Sequence, residues 1–276
     1  MKIQRYRPFS AQAEDIVLKN ILRREYLDDK RLQNIEVNII LPTFNRCTVI
    51  GNAISSVKNQ FHQKWQLYVC DDGSTDNTHE IINDYRKDNR ISMLTLPHKG
   101  VSHARNAGIK KSKGQYIAFL DSDNTWDPEY LSLMISFIEK FSLDSGYCAA
   151  RLIGDDIDQW LGDHFSWQAC AVQNYIDLNC FMIKSTNKEY YFDESLQRFV
   201  DWDYILGATR SSRTSFLPLA LIKYCDSKLR PRITTTIYQN NEKNTKIAYI
   251  KEKHFALMGS NENIDARLIK GHETQA

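Results

Sequence analysis

No stretch of this 276-residue chain is long and apolar enough to read as a membrane span. The longest apolar run, Phe216 to Ile222, is broken by Pro218 and falls far short of the ~20 residues that a spanning helix needs. The amino terminus, MKIQRYRPFSAQAEDIVLKN, has no apolar core of secretory-leader length. The expected location is therefore the cytoplasm, and any membrane contact is expected to be peripheral, at its cytoplasmic face. Charge of one sign is lacking too. Lys and Arg total 36 against 34 Asp and Glu, a formal net of +2, which gives no whole-protein attraction to nucleic acid. The six cysteines (Cys47, Cys70, Cys148, Cys170, Cys180, Cys225) form no CxxC pair and no metal-ligand spacing. They are expected as free thiols in a reducing compartment. No GxxxxGK[ST] phosphate loop occurs anywhere.

What remains is an ordinary globular composition, 42% hydrophobic and 25% charged. The length suits one large α/β domain or two small ones. Ala11 to about Leu27 carries Ala13, Val17 and Ile21 at helical spacing, with Ile16 and Leu22 beside them, and Ser10 stands as a candidate N-cap. This amphipathic helix has three readings: the end of another domain, a contact for a protein partner or second copy, or a lid on the core. The charged run Asp28 to Arg31 reads as a linker.

From Val37 the pattern changes to short apolar runs alternating with helical ones. Strands are predicted at Val37–Leu41, Leu67–Cys70, Ile91–Leu94 and Tyr116–Leu120, and helices at Thr48–Gln60, Asp76–Arg86 and Val101–Lys110. Alternation of this kind predicts a mostly parallel sheet flanked by helices. Ligands of such sheets bind beyond the carboxyl ends of the strands, so the residues just after each strand matter most. They are Pro42-Thr43-Phe44-Asn45-Arg46, then Asp71-Asp72-Gly73-Ser74-Thr75-Asp76, then Asp121-Ser122-Asp123.

Clustered carboxylates repel one another, and a hard divalent cation with phosphate oxygens relieves that repulsion. Ser74, Thr75 and Asp76 are equally explained as caps of the following helix. Asp121 and Asp123 are not, because the next helix has its own start at Asp127-Pro128.

These segments together resemble the inverting family-2 glycosyltransferases of the GT-A fold. The matching stretches are Val37–Asn45, Val69–Asp76, Gly100-Val101-Ser102-His103-Ala104-Arg105-Asn106-Ala107-Gly108 and Gly114–Asp123, in family order. The resemblance implies an α/β GT-A architecture: a Rossmann-like nucleotide-binding half over residues 35–126 and an acceptor-binding half over 127–245. A helical extension over 1–34 precedes them and a helical or flexible tail over 246–276 follows. It further implies a nucleotide-sugar donor, UDP-linked by preference, and a glycan or lipid-linked glycan acceptor. Pro42, Thr43, Phe44, Asn45 and Asp71 would line the base pocket, with Asp71 accepting from a pyrimidine N–H and Asp72 ordering the loop or approaching the ribose. Arg105 would sit near the pyrophosphate; the plain alternative is a surface arginine in a solvated ion pair.

Asp121-Ser122-Asp123 corresponds to the DxD motif. Asp123 would ligate Mn2+ or Mg2+, and Asp121 would contact ribose or a metal-bound water. Phe192-Asp193-Glu194 and Val200-Asp201-Trp202-Asp203 resemble the FDE…EDxD segment, with Asp201 as catalytic base and Val200 where the family has Glu. Asp203 reads as a structural acid. Trp126 and Trp202 are candidates for sugar stacking or for packing. His98, His103 and His164 have no metal-pair spacing, the acids Asp155, Asp156 and Asp158 read as a solvated turn, and Lys228, Arg230 and Arg232 form a small basic patch.

Two other functions remain open. A nucleotidyltransferase would need a Gly-rich basic loop after the first strand, where this chain has Pro42–Asn45. A domain that binds nucleotide or glycan without turnover draws its support from Val200.

Overall fold

The computed structural model describes residues 9–154, 157–187, 190–225 and 240–255, with side chains described over 16–151, 161–186, 190–222 and 245–254. The first strand, β1 (Val37–Thr43), is buried at all seven positions. A continuous apolar run of this kind marks a strand covered on both faces, as in a parallel sheet. β1 pairs in parallel with β2 (Trp65–Asp71) on one side and β4 (Tyr116–Phe119) on the other, and β3 (Ile91–Thr95) pairs in parallel with β2. Pro42 is tolerated near the end of this central strand because β4 already stops opposite Ile40. No ladder bond is lost there for want of an N–H.

Beyond β4 the sheet turns mixed. Its order is β3-β2-β1-β4-β8-β6-β9-β5, with β7 alongside β6. β8 (Phe181–Lys184) is antiparallel to both β4 and β6 (Ser145–Gly154). β9 (Thr214–Cys225) runs parallel to β6 through a register shift at Cys148–Ala150, and pairs antiparallel with β5 (Thr125–Trp126). The short strand β7 (Ile157–Leu161) completes the antiparallel part. The alternating pattern that predicts a parallel sheet thus covers the first half only.

Helices fill both layers. α3 (Ile50–Lys58) buries Ile50, Ala53, Ile54 and Val57, the i, i+3, i+4, i+7 stripe of a helix on a sheet. α4 (Thr78–Tyr85) follows β2, and α5 (Val101–Lys111) connects β3 to β4. α6 (Tyr130–Lys140) is buried at its first nine positions, because α1 (Phe9–Asp28) and α2 (Lys30–Gln33) lie over it. α7 (Trp167–Val172), α8 (Val200–Thr209) and α9 (Asn240–Phe255) belong to the second half. The division expected at 245/246 falls inside α9, and residues 256–276 lie outside the described residues.

Several sequence expectations change here. α1 begins at Phe9, so Ser10 lies inside the helix and not at its cap. Of its expected apolar stripe, Ile16, Val17 and Ile21 are exposed; the side chain of Ala13 lies outside the described residues. The packed face is instead made by Leu22 and Tyr26, whose hydroxyl lies 2.7 Å from His62 Nδ1. Asp29 is no linker residue: its carboxylate caps α2 by accepting from the Arg31 N–H. α6 starts at Tyr130, after a turn in which Asp127 Oδ1 accepts from the Glu129 N–H, so Pro128 is not its first residue. Cys47, Cys70, Cys148, Cys170 and Cys180 are free thiols. Asp155, Asp156, Lys228, Arg230 and Arg232, with the side chains of Asp158 and Cys225, lie outside the described residues.

Candidate functional site

The loops that leave β1 and β2 are laced together at the carboxyl edge of the sheet. Asn45, at φ 51°, uses a conformation that Asn tolerates better than most residues. Its side-chain oxygen accepts from the backbone N–H groups of Thr75 (2.8 Å) and Asp76 (3.3 Å), and its own N–H donates to Ser74 Oγ at 2.9 Å. Arg46 N–H donates to Thr78 Oγ1 and Cys47 N–H to Asp76. Ser74 and Asp76 serve this inter-loop lattice; Asn77 holds the cap position of α4 without a side-chain bond, and Asp76 Oδ1 accepts from the N–H of Thr78, the first helical residue, at 3.0 Å. Above it Phe44, 38% exposed, stacks on His98 with ring centroids 4.1 Å apart.

Asp71 and Asp72 both point into this lattice. Asp71 is fully buried, and its oxygens accept from Ser74 N–H, Ser74 Oγ–H and His79 Nε2–H. In this arrangement Asp71 presents no exposed oxygen and holds the Ser74 turn. Asp72 accepts from the backbone N–H groups of Lys99 (2.9 Å) and Gly100 (2.8 Å), fixing the approach to α5. Gly73, at φ 80°, makes the turn that follows Asp72, and a side chain there would press on the Leu96 carbonyl.

α5 is drawn tightly onto the sheet. A Cβ at Gly108 would come within 2.8 Å of Ile40 and 2.9 Å of Cys70, so glycine at this helix position permits the close approach. One turn earlier, Arg105 is brought under the end of β4. It is 3% exposed and donates through one terminal nitrogen to Asp121 Oδ1 (2.8 Å) and through the other to Asp201 Oδ1 (2.5 Å). Its guanidinium also lies 5.1 Å from the Phe192 ring centroid. Burial opposes the charge on Arg105, but Asp201 and Asp121 outweigh it and hold the pKa above its usual value.

Asp201 stands in the first turn of α8. Phe199, with φ 58°, turns the chain into that helix through a left-handed residue, a strain of about 1 kcal/mol for a non-glycine. Burial pushes the Asp201 carboxyl up to about 6; Arg105 pulls it down, while Asp121 and Asp177 push it further up. The side chain remains 36% exposed, so water still screens part of its charge.

Asn179 had no place among the sequence candidates. Its side-chain oxygen accepts from the Asp121 N–H at 2.6 Å, and its NH2 donates to Asp121 Oδ2 at 3.0 Å and to Asp177 Oδ1 at 2.9 Å. An Asx-type turn, Asp177-Leu178-Asn179, is visible in the sequence, but its partner lies 58 residues away. Asn106 is a second structural hub. It exchanges hydrogen bonds with the Phe192 backbone (2.9 and 2.8 Å) and donates to Glu194.

Other candidates take structural places. Trp126 and Trp202 are buried at 4% and 3%, with their ring N–H groups on the Asn179 and Cys170 carbonyls. Neither offers a face to a sugar. Asp203 is fully buried against Lys253 and His254 of α9, each at 2.9 Å, and Lys253 also reaches Asp193 at 2.9 Å. Val200 is a buried apolar residue at the start of α8. His98 pairs with Asp72. Among the described residues no group of three or more His, Cys, Asp or Glu side chains is placed to hold a metal by itself.

The donor set nonetheless suits a hard cation that brings its own phosphate ligands. Asp121, Asp177 and Asp201 surround the Arg105 and Asn179 side chains, an excess of negative charge that a divalent ion would offset. Both Asp121 oxygens already accept N–H bonds, from Arg105 and from Asn179.

A parallel half-sheet with acids at two strand ends, after β2 and after β4, joined to a mixed half that returns one more carboxylate, defines a GT-A glycosyltransferase fold. TarS 1–349 of S. aureus, in complex with UDP-GlcNAc, shares this fold with a TM-score of 0.66 at 18% identity, over 86% of this chain and 76% of that one. The mannosyltransferase PcManGT of Pyrobaculum calidifontis, in complex with GDP-Man and Mn2+, gives 0.57 at 16% identity, over 79% and 69%. Residues 38–204, more than half of the chain, match the model of glycosyl transferase family 2, and the chain belongs to that family. The Escherichia coli protein WfgD, a UDP-Glc:alpha-D-GlcNAc-diphosphoundecaprenol beta-1,3-glucosyltransferase, is 39% identical over 121 residues, which are 44% of this chain and 47% of the relative. The chain spans less than half the length of the curated relatives it matches. No described helix is long and apolar enough to cross a membrane.

Proposed function

We propose that the chain transfers a sugar, with inversion, from a nucleotide-sugar donor to a hydroxyl of a glycan or lipid-linked glycan during synthesis of a surface polysaccharide. The observation that carries this reading is the Arg105 bridge. Asp121 of the DxD segment and Asp201, far apart in sequence, converge on one buried guanidinium. A donor-side acid and an acceptor-side acid are thereby held at one sheet edge, as a direct displacement requires.

In this reading Asp201 removes the proton from the acceptor hydroxyl. A carboxyl held near 6 is a better base at neutral pH than an ordinary aspartate, because basicity rises with pKa while the group stays mostly ionised. Arg105 occupies its Oδ1, which leaves Oδ2 for the proton and keeps the carboxylate oriented. The Phe44 and His98 stack forms a flat ledge for a base, while Pro42, Thr43 and Asn45, with Asp71 and Asp72 behind them, hold the surrounding loops. Ser122 spaces the two DxD acids. A pyrophosphate contact by Arg105 would draw on terminal nitrogens already bonded to Asp121 and Asp201, or on Nε, which is buried and has no partner among the described residues. Asp123, with Asp121 in support, would hold Mn2+ or Mg2+, which would supply positive charge to offset that of the departing diphosphate.

UDP is the favoured nucleotide, since TarS is bound to UDP-GlcNAc and WfgD takes its sugar from UDP-Glc. Thermal unfolding with UDP, GDP, dTDP and ADP, each with and without Mn2+, tests the donor site, because a ligand of the folded state raises the midpoint by mass action. A metal-dependent rise confined to one nucleotide is expected. No rise with any of them would defeat the donor reading. Val200, in the position of the family's Glu, favours a second reading, a domain that binds donor without turnover. Hydrolysis of the donor sugar to water separates the two: a working transferase releases it slowly and a binding domain does not.

A further inference from the structure

We infer that Asn179 is a positioning residue for sugar transfer: it fixes Asp121, and through Asp121 the placement of Asp123 and Arg105, so that the metal-binding acid and the base share one rigid frame. This inference rests on the proposed donor site.

The contacts are specific. Asn179 is 4% exposed and belongs to the Leu178–Cys180 turn that leads into β8. Because β8 pairs with β4, the turn is carried to the point where the chain leaves β4 for Asp121. There the Asn179 amide grips Asp121 twice, accepting from its N–H at 2.6 Å and donating to its Oδ2 at 3.0 Å. The amide satisfies both at once from two separate atoms, its oxygen as the acceptor and its NH2 as the donor.

Asn179 is itself held on three sides. Its NH2 donates a second bond to Asp177 Oδ1, its backbone N–H donates to the same oxygen at 2.8 Å, and its carbonyl accepts from Trp126 Nε1–H. With Oδ2 fixed, Asp121 can turn only Oδ1 towards Arg105, and Arg105 then reaches Asp201. The chain Asp177, Asn179, Asp121, Arg105, Asp201 is thus a continuous set of hydrogen bonds from the second half of the fold through the donor acid to the base. Without the amide, the Asp121 carboxylate would keep its bond to Arg105 through Oδ1 and lose the second hold at Oδ2 that fixes its rotation. Asp123, two residues on, would lose the fixed backbone from which it meets a cation. Supporting residues of this kind carry about 10–100-fold in metal affinity or activity.

The test uses Asn179→Ala, with Asn179→Leu, which keeps the volume and has no donor or acceptor, in its place if the alanine variant does not fold. Hydrogen exchange of the segment over 120–123 is read first, without nucleotide. Faster exchange at Asp121, with β4 still protected, is expected. Affinity for UDP is then measured with and without Mn2+. The Mn2+-dependent gain in affinity should fall about 10–100-fold, while UDP alone binds nearly as before. Trp126→Phe serves as a control that loosens the same turn without touching Asp121; it should lower the melting midpoint and leave the Mn2+ gain intact.

Unchanged exchange at Asp121 overturns the inference. So does an Mn2+ gain that survives Asn179→Ala, or one lost equally in Trp126→Phe, because either result makes the contact merely structural. A wild type that binds UDP neither with nor without Mn2+ defeats the donor reading instead, and the exchange measurement, which needs no nucleotide, still decides whether Asn179 holds Asp121.

Discussion

Asp201→Asn is the most revealing single substitution, because its effects on stability and on rate should point in opposite directions. Asp201 is charged at neutral pH against the preference of its surroundings. Burial and the nearby Asp121 and Asp177 charges outweigh Arg105 and lift its carboxyl from 3.8 to about 6. Between those values the folded chain keeps a proton that the unfolded chain releases, so stability falls as pH rises through that window. A carboxyl raised this far would represent about 3 kcal/mol if unscreened. With 36% of the side chain exposed, solvent screening reduces the expected effect to about 1 kcal/mol.

Asparagine keeps the shape and an oxygen for Arg105 but carries no charge. Asp201→Asn should therefore match or slightly trail the wild type at pH 4 and gain on it by about 1 kcal/mol by pH 7. Urea midpoints at pH 4, 5, 6 and 7 measure this directly. The same variant should bind nucleotide normally and lose about 10²–10⁴-fold in transfer rate, as expected for a missing general base. A stability difference that is flat across pH 4–6 would refute the argument. A growing loss in the variant over that range would show that Arg105 dominates and that the Asp201 pKa is lowered.

Three further outcomes are expected. Asn106→Ala removes the bonds that pin the Phe192 backbone and should cost about 2–3 kcal/mol by urea denaturation; a loss below about 0.5 kcal/mol would mean the segment before α8 is held elsewhere. Gly73→Ala places a side chain at φ 80° and should cost about 1–2 kcal/mol, with weaker nucleotide binding because the Asp71–Ser74 turn shifts. Equal melting curves for this variant and the wild type would contradict the strain. Asp123→Ala should abolish the Mn2+ dependence of UDP binding while the melting midpoint without nucleotide stays within about 2 °C of the wild type; a preserved Mn2+ effect would place the cation elsewhere.

Much of the donor half was legible in the sequence, because it is encoded locally. Strand and helix periods from Val37 to Leu120 fix the order of elements, and polar residues directly after an apolar run must fall at a strand end. That is why Asp71, Asp72, Asp121 and Asp123 could be placed at one edge of the sheet from spacing alone. The GT-A resemblance extends over the same stretch for the same reason.

Tertiary structure decided everything that depends on which distant groups meet. The sequence separations of 96 for Arg105 and Asp201, and of 58 for Asn179 and Asp121, leave no local signal of their pairing. The mixed order of the second half of the sheet brings them together, since β8 delivers the Asn179 turn to the end of β4. The same packing buried Trp126 and Trp202, enclosed Asp71 beneath Ser74 and His79, and fixed α9 to Asp193 and Asp203. On α1 it turned Leu22 and Tyr26 inward and left Val17 and Ile21 exposed. Helical periodicity defines an apolar stripe, but only the neighbouring surface determines which residues it covers.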